Sequence, residues 1–151
     1  MTVVLPISKF PQVDYADANG ELSKIYDDIQ FTLRVPWVAF GIRVMSQFPA
    51  FVPAAWQMLK PQMSTEYAEE GADLVREASI IPGPPPPDPR PKLRAAARSD
   101  EEISKIHQAL DSLSYGNPKG LILITAWNEA WNERAAGSPA NNCDRARQRL
   151  T

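Results

Sequence analysis

The side chains with the clearest chemical implication are three cations in an apolar stretch that has no carboxylate. Between Ile29 and Thr65 the sequence has no Asp or Glu, but it contains Arg34, Arg43 and Lys60. Small-molecule sites are mostly apolar with a few fixed polar groups, and a guanidinium pairs well with a carboxylate. If this stretch lines a cavity, the pattern favours a small organic anion over a metal ion or a cation. Arg43 is the candidate partner of a substrate carboxylate, and a salt bridge within the protein is its alternative role.

Other ionisable side chains are better explained as surface groups. His107, the single histidine, lies one position away from the apolar side of its predicted helix, and as a general base it would need a partner and a cavity. The carboxylates of residues 66–77 have no histidine among them, so we predict a solvated helix surface there. The single cysteine, Cys143, excludes an intrachain disulfide and a cysteine-based metal cluster. We expect no metal and no cofactor.

The composition is typical of one globular domain. The chain has 151 residues, of which 44% are hydrophobic and 23% charged, and its net charge is -2. This charge gives no electrostatic reason to expect nucleic acid or a membrane as a partner. No apolar run reaches the ~20 residues of a spanning helix, and the first residues lack the pattern of a secretory signal. We therefore expect a cytoplasmic protein, with a helical domain over residues 1–133 and a polar, basic, disordered tail over residues 134–151.

Apolar side chains spaced three and four residues apart predict helices and no strand. The sequence predicts a first helix after Gly20 and then a helical hairpin over Val35–Pro61. In that hairpin Pro36 and Pro53 are predicted at helix starts, and Pro49 and Pro61 at helix ends, because proline lacks an amide donor. The predicted fold class is all-α, a single helical domain of about six helices.

The second half of the chain follows the same pattern. A helix over residues 65–78 is predicted to bury Tyr67, Gly71, Leu74, Val75 and Ala78. A stiff proline-rich connector follows, and Ser99 with Glu102 forms a capping box that starts the next helix. That helix is predicted to bury Ile103, Ile106, Leu110 and Leu113, and to end at a turn formed by Gly116, Asn117 and Pro118. A last, almost entirely apolar helix is predicted to run through the middle of the protein or between two copies of it.

Three motifs together resemble the group I 2-haloacid dehalogenases. They are L-x-V-P-x-V from Leu33, F-P at Phe48 followed by W-x-x-L-K-P from Trp56, and Y-x-N-P from Tyr115. The resemblance covers residues from about 10 to 133. It corresponds to one repeat of a family whose chains contain two.

The resemblance implies an all-helical pseudo-dimer with the site between its repeats. It also implies hydrolysis, in which a water activated by an aspartate attacks the carbon that bears the halogen and no covalent ester forms. Asn117 matches the family's asparagine, which helps hold that water, and is the predicted catalytic residue. The predicted substrate-binding residues are Trp37, Phe40, Gly41, Arg43 and Tyr115.

The chain departs from the family pattern in two ways. It carries one repeat, so a complete site needs a homodimer, which is the expected partner together with a small organic acid. It also lacks the catalytic aspartate, because the matching region around Ala39–Ile42 has no acid. Glu129, Glu133 and Asp111 are candidates to replace it.

Two functional classes remain open, and a third is disfavoured. The first is a homodimeric hydrolase of the 2-haloacid dehalogenase type. The second is a helical ligand-binding or dimerisation module that has lost the catalytic carboxylate. Helical proteins of the alkylhydroperoxidase type are disfavoured, because their chemistry needs a C-x-x-C pair and this chain has a single cysteine.

Overall fold

The computed structural model describes residues 10–133, and within this range the chain is all-α. No strand occurs among these residues, which confirms the predicted fold class. A 3-10 turn at Tyr15–Asp17 precedes six α-helices. The helices are α1 (Gly20–Leu33), α2 (Phe40–Met45), α3 (Phe51–Met63), α4 (Glu66–Ala78), α5 (Arg90–Ala95) and α6 (Asp100–Trp131). The predicted basic tail, residues 134–151, lies outside the described residues.

The hydrophobic core lies where α1, α2, α3 and α6 meet. Its fully buried side chains are Tyr26, Ile29, Ile42, Val52 and Leu123. Trp127 of α6 packs edge-on against Phe51 of α3 at a centroid distance of 5.3 Å. The long helix α6 therefore supports the hairpin that the apolar spacing predicts. In the described part of the chain, no helix is long and apolar enough to cross a membrane.

The hairpin differs from the prediction at two of its prolines. Arg34 has a left-handed backbone (φ 58°) that ends α1, and the next helix begins at Phe40 rather than at Pro36. The residues between them cross α6 as a non-helical segment. Pro61 was expected to end α3, yet that helix continues to Met63. A proline in the last turn removes one backbone hydrogen bond, and the helix tolerates this loss so close to its end.

The predicted turn at Gly116, Asn117 and Pro118 is wrong, because α6 is one helix of 32 residues that runs through all three. Pro118 has no N–H to donate to the carbonyl of Ser114, four residues earlier. Nε of Arg76, from α4, donates to that carbonyl instead, at 3.1 Å. The capping box at the start of α6 is confirmed, since Ser99 and Glu102 bond to each other's backbone N–H groups.

Two predicted buried faces are also corrected. In α4 the buried residues are Ala68 and Ala72, one position along from the predicted stripe, and Tyr67 is 43% exposed. In α6, Ile103 is buried as predicted, but Leu110 is 57% exposed. The last part of α6 does not run through the middle of this chain, because Leu123 is buried but Leu121 is 55% exposed; its predicted alternative position, between two copies, stays a prediction.

Asp28 links α1 to α3 and supplies a pH-dependent part of the stability. Its carboxylate accepts hydrogen bonds from Trp56 Nε1 at 2.7 Å and from Lys60 Nζ at 2.8 Å. Burial alone would raise the pKa of Asp28, but the hydrogen bonds from Lys60 and Trp56 outweigh it and lower the pKa. The charged carboxylate is thus the form that stabilises the fold.

We predict that Asp28→Asn lowers the free energy of unfolding by about 1 kcal/mol at pH 7. Because the folded-state pKa is depressed, this contribution is complete above the unfolded-state pKa and is lost as the pH falls through the folded-state value. Urea denaturation at pH 7 and pH 3 measures it. Asp88→Asn is the control, since its partner Arg90 lowers the pKa of Asp88 in the same direction but the pair is exposed and contributes little. Equal losses at both pH values for Asp28→Asn would contradict this account.

Candidate active site

The segment before α2 lies directly on α6 because two glycines allow close approach. A Cβ atom on Gly116 would lie 2.5 Å from the Trp37 ring and 2.6 Å from a Val35 methyl carbon. A Cβ atom on Gly120, one turn later, would lie 3.3 Å from the Ala39 Cβ. The indole of Trp37 also donates from Nε1 to Ser112 Oγ at 3.0 Å. This contact places Trp37 beside the part of α6 that carries Asn117.

Asn117 itself is exposed, on a neighbouring side of α6. The side chains one turn before and after it, Leu113 and Leu121, are 43% and 55% exposed. Ile124 continues the same side and is 37% exposed. We call Leu113, Asn117, Leu121 and Ile124 the open face of α6. It presents one amide among exposed apolar side chains.

An apolar groove continues the open face toward the end of α6. The groove encloses about 520 Å³. Its walls include Met45, Phe48, Phe51, Ile124 and Trp131. A Cβ atom on Gly41 would lie 2.3 Å from Ile124 Cδ1, so Gly41 packs directly against this wall residue of the groove. The groove is therefore apolar, as the acid-free stretch predicts, but none of the three cations Arg34, Arg43 and Lys60 is among its lining residues.

The structure places two of the predicted site residues away from Asn117. Nε of Arg43 donates to Gln12 Oε1 at 3.1 Å and lies 3.6 Å from Asp14 Oδ1. Tyr115 lies two residues from Asn117, which on an α-helix is a rotation of about 200°. Trp37 and Gly41 contact α6, and Phe40 is half-buried at the start of α2. The assignment of Trp37, Phe40, Gly41, Arg43 and Tyr115 as substrate contacts stays a prediction, as does the catalytic role of Asn117.

A buried ion pair that the sequence reasoning missed holds the opposite side of α6. Lys119 is 2% exposed, and its Nζ donates to Glu69 Oε1 at 2.7 Å and to the Leu33 carbonyl at 3.0 Å. The same atom lies 3.7 Å from the centroid of the Tyr115 ring. Lys119 is the only charged residue between Asp111 and Glu129, and this was the signal that could have indicated it, since buried lysines need a partner. The prediction that the carboxylates of α4 form a solvated surface is therefore wrong for Glu69.

Glu69 is poorly placed to act as a general base. One oxygen faces Lys119 and lies 3.9 Å from Arg34, and the other accepts a hydrogen bond from the Tyr115 hydroxyl at 3.3 Å. Both carboxylate oxygens are thus engaged within the chain. Glu69 also lies on the α4 side of α6, whereas Asn117 belongs to the open face.

The three other candidate carboxylates do not lie beside Asn117 in one chain. Asp111 is paired with His107 at 3.3 Å, which places that histidine on the helix surface as predicted. Along a helix that rises ~1.5 Å per residue, Asp111 lies about 9 Å and Glu129 about 18 Å from Asn117. Glu133 lies beyond the end of α6. A carboxylate that meets Asn117 must come from another segment or another chain.

Among residues 10–133, no group of three or more His, Cys, Asp or Glu side chains is arranged to hold a metal ion. Asn117 contributes a hydrogen-bonding amide next to the exposed apolar side chains of the open face.

Comparison with known proteins identifies the family. Residues 36–148 match the family described as Halocarboxylic acid dehydrogenase DehI. The chain belongs to this family. It is 66% identical over 136 residues to a configuration-inverting 2-haloacid dehalogenase of Pseudomonas sp. (strain 113), a match that covers 89% of this chain and 44% of the relative. It is 45% identical over 128 residues to a configuration-inverting 2-haloacid dehalogenase of Alcaligenes xylosoxydans xylosoxydans, covering 85% of this chain and 43% of the relative.

A solved structure shows the same fold. The complex of a mutant D-2-haloacid dehalogenase with D-2-CPA superposes on this family member with a TM-score of 0.69 at 32% identity, over 78% of this chain and 41% of that chain. The chain thus spans less than half the length of the relatives it matches. The resemblance predicted from the three motifs is confirmed, including the correspondence to about half of a longer relative.

We predict that Gly116→Ala disturbs the contact between α6 and the segment before α2. The new methyl group would overlap Trp37 and Val35, so the free energy of unfolding should fall by about 1–3 kcal/mol. Denaturant unfolding followed by tryptophan fluorescence measures this. Gly71→Ala in α4 is the matched control, because its Cβ would meet Ile122 at an ordinary 3.5 Å and alanine favours a helix. A Gly116→Ala protein as stable as Gly71→Ala would contradict the close approach.

Proposed function

We propose that this chain supplies one half of a 2-haloacid dehalogenase site. In the reaction, a water molecule replaces the halogen on the carbon next to the carboxylate, and the products are a 2-hydroxy acid, a halide ion and a proton. A direct attack by water leaves no ester on the protein. The proposal rests on the family membership of the chain and on the names of its relatives.

The observation that carries the proposal is the position of Asn117 on the open face of α6. Its amide can orient a water molecule by hydrogen bonding, while the exposed apolar side chains of Leu113 and Leu121, one turn before and after it, can contact the halogen and alkyl part of a small organic acid. Trp37, Phe40 and Gly41 are the proposed lining on the α2 side. Arg43 and Tyr115 have partners within the chain, so a contact with substrate would require them to release Asp14 and Glu69 respectively.

The second half of the site is proposed to be a second copy of the chain. The chain matches less than half the length of its relatives, and the open face and groove expose apolar side chains that a partner can cover. A two-fold dimer would bring the open faces of two chains together. In such a dimer the base would be a carboxylate of the facing copy, with Glu129, Glu133 and Asp111 as candidates.

A second function has one observation in its favour. Ala39–Ile42 and the groove contain no acid, and no described carboxylate lies next to Asn117 in the same chain. A chain of this kind could bind a small organic acid, or dimerise, without catalysing its hydrolysis, since a general base contributes roughly 10²-fold to 10⁴-fold in rate. This alternative predicts saturable binding without halide release.

We expect the protein to release halide from 2-chloropropionate and bromoacetate, and Asn117→Ala to lower the rate at least ~100-fold, the usual effect of removing one positioned hydrogen-bond donor. Ion chromatography of the halide measures this. Asn19→Ala is the control, because Asn19 precedes α1 and its side chain makes no capping hydrogen bond. A single turnover in ¹⁸O-water should place the label in the 2-hydroxy acid and not in the protein.

The outcomes of this experiment separate the two functions. Halide release that is equal in Asn117→Ala and Asn19→Ala would exclude the proposed role of Asn117. No release at micromolar protein, with saturable binding of 2-chloropropionate, would exclude the hydrolase and favour the binding module.

We also expect Leu121→Lys to convert a dimer into monomers. Light scattering of the parent should give twice the 16.8 kDa mass of one chain, and a lysine in the middle of the open face would have to be buried without a partner. Phe31→Lys is the control, since Phe31 is 84% exposed on α1, away from α6. A parent that is monomeric at all concentrations, or a Leu121→Lys dimer as tight as the parent, would reject the open face as the dimer surface.

A further inference from the structure

Pro118 creates a local defect in α6 next to Asn117. A proline in a helix interior removes one backbone hydrogen bond, and its ring crowds the carbonyl four residues earlier, here that of Ser114. The residue before a proline, here Asn117, is also disfavoured in helical conformation. Nevertheless α6 is helical from Asp100 to Trp131. Something outside α6 must therefore compensate at this turn.

Arg76 of α4 provides the missing hydrogen bond. Its Nε donates to the Ser114 carbonyl at 3.1 Å, across 38 residues of sequence. This is the carbonyl that the N–H of residue 118 would satisfy in an uninterrupted helix. The replacement is therefore specific to the defect that Pro118 makes.

The Arg76 side chain is held in place by its surroundings. Its Nη1 pairs with Asp73, and its guanidinium carbon lies 6.0 Å from the centroid of the Tyr115 ring. Its Nη2 is buried and has no hydrogen-bond partner among the described residues. Burial of an unsatisfied donor is unfavourable, so the fold accepts a cost to keep this guanidinium beside Ser114.

The other side of the defect is fixed from α4 as well. Lys119 follows Pro118 and is bound by Glu69 of α4 and by the last residue of α1, Leu33. Ser114 before the proline and Lys119 after it are thus both held by α4 side chains. Asn117 lies between these two anchored positions, on the open face.

We infer that Arg76 is a positioning residue for Asn117, because it supplies the hydrogen bond that Pro118 removes and so holds the turn that carries the Asn117 amide. The inference rests on the proposed function for its effect on turnover, but not for its effect on the Asn117 geometry. Arg76 itself lies on the α4 side of α6 and contacts no part of the open face through the bonds described above.

A mutant cycle tests the inference. Arg76→Met leaves the Ser114 carbonyl without its donor, whereas Pro118→Ala restores the N–H of residue 118. We expect Arg76→Met to lower kcat by ~10-fold to 100-fold with a smaller change in KM, as a small displacement of a reacting group does. In the Pro118→Ala background the same substitution should change kcat less than ~3-fold, because contacting sites are not additive.

A readout that needs no turnover accompanies the cycle. The side-chain amide signal of Asn117 in ¹H–¹⁵N spectra, assigned by its loss in Asn117→Ala, should shift in Arg76→Met and return in the double variant. If the parent shows no turnover, the proposed hydrolase fails while this signal still decides the positioning role. A signal that is unmoved by Arg76→Met, or an effect of equal size in both backgrounds, would overturn the inference.

Two further variants keep the test interpretable. Arg76→Leu also removes the Nε donor, so it replaces Arg76→Met if that variant folds poorly. Arg94→Met is the control for loss of a surface arginine, since Arg94 pairs with Asp100 at 3.0 Å and makes no bond to α6 carbonyls. Coupling of Arg94→Met to Pro118→Ala as strong as that of Arg76→Met would also overturn the inference.

Discussion

The buried ion pair between Lys119 and Glu69 determines how α6 sits in the protein. An ammonium group with 2% exposure is costly to bury, and the cost is offset by a carboxylate, a carbonyl and an aromatic face around one nitrogen. Those three partners come from α4, α1 and α6 itself. Since the lysine can satisfy them in one orientation of α6, the rotation of the helix about its axis is fixed. The side that remains open is fixed with it.

The three sides of α6 near residue 117 differ in what they contact. One side carries Lys119 and Tyr115 and is bound by polar contacts to α4. A second side carries Gly116 and Gly120 and receives the non-helical segment before α2 at backbone distance. The third side, with Asn117, is largely exposed. A helix anchored on two sides presents its third side rigidly, which is the condition for a site that must align an amide with a reacting group.

The sequence predicted the parts of this structure that depend on local pattern. Helical spacing gives the all-α class, the Ser99–Glu102 box gives the start of α6, and the motifs at Leu33, Trp56 and Tyr115 give the family. The error at Pro61 is local, but the errors at residues 116–118 depend on contacts between distant residues. The Y-x-N-P sequence is turn chemistry by itself, and it remains helical because Arg76 satisfies Ser114. The glycines at 116 and 120 likewise serve packing against Trp37 and Ala39, which no local rule reveals.

The residue types of the candidate site could be predicted from the sequence, but the directions of its side chains could not. An acid-free apolar wall follows from the residue types between Ile29 and Thr65, but the directions of Arg43 and Tyr115 depend on partners elsewhere in the chain. Arg43 contacts Gln12 and Asp14, and Tyr115 contacts Glu69 and Lys119. A cation in an apolar stretch can therefore bind a neighbouring segment of the chain as readily as it can bind a substrate.

The chemistry of the open face makes this half of the site depend on what covers it. A neutral amide such as that of Asn117 can accept and donate hydrogen bonds to a water, but it cannot take the proton that hydrolysis releases. Glu69, whose side chain is 28% exposed, is paired with Lys119 on the other side of α6. Under the proposed function the two requirements of the reaction are divided: Asn117 of this chain orients the water, and a carboxylate of the facing half removes its proton.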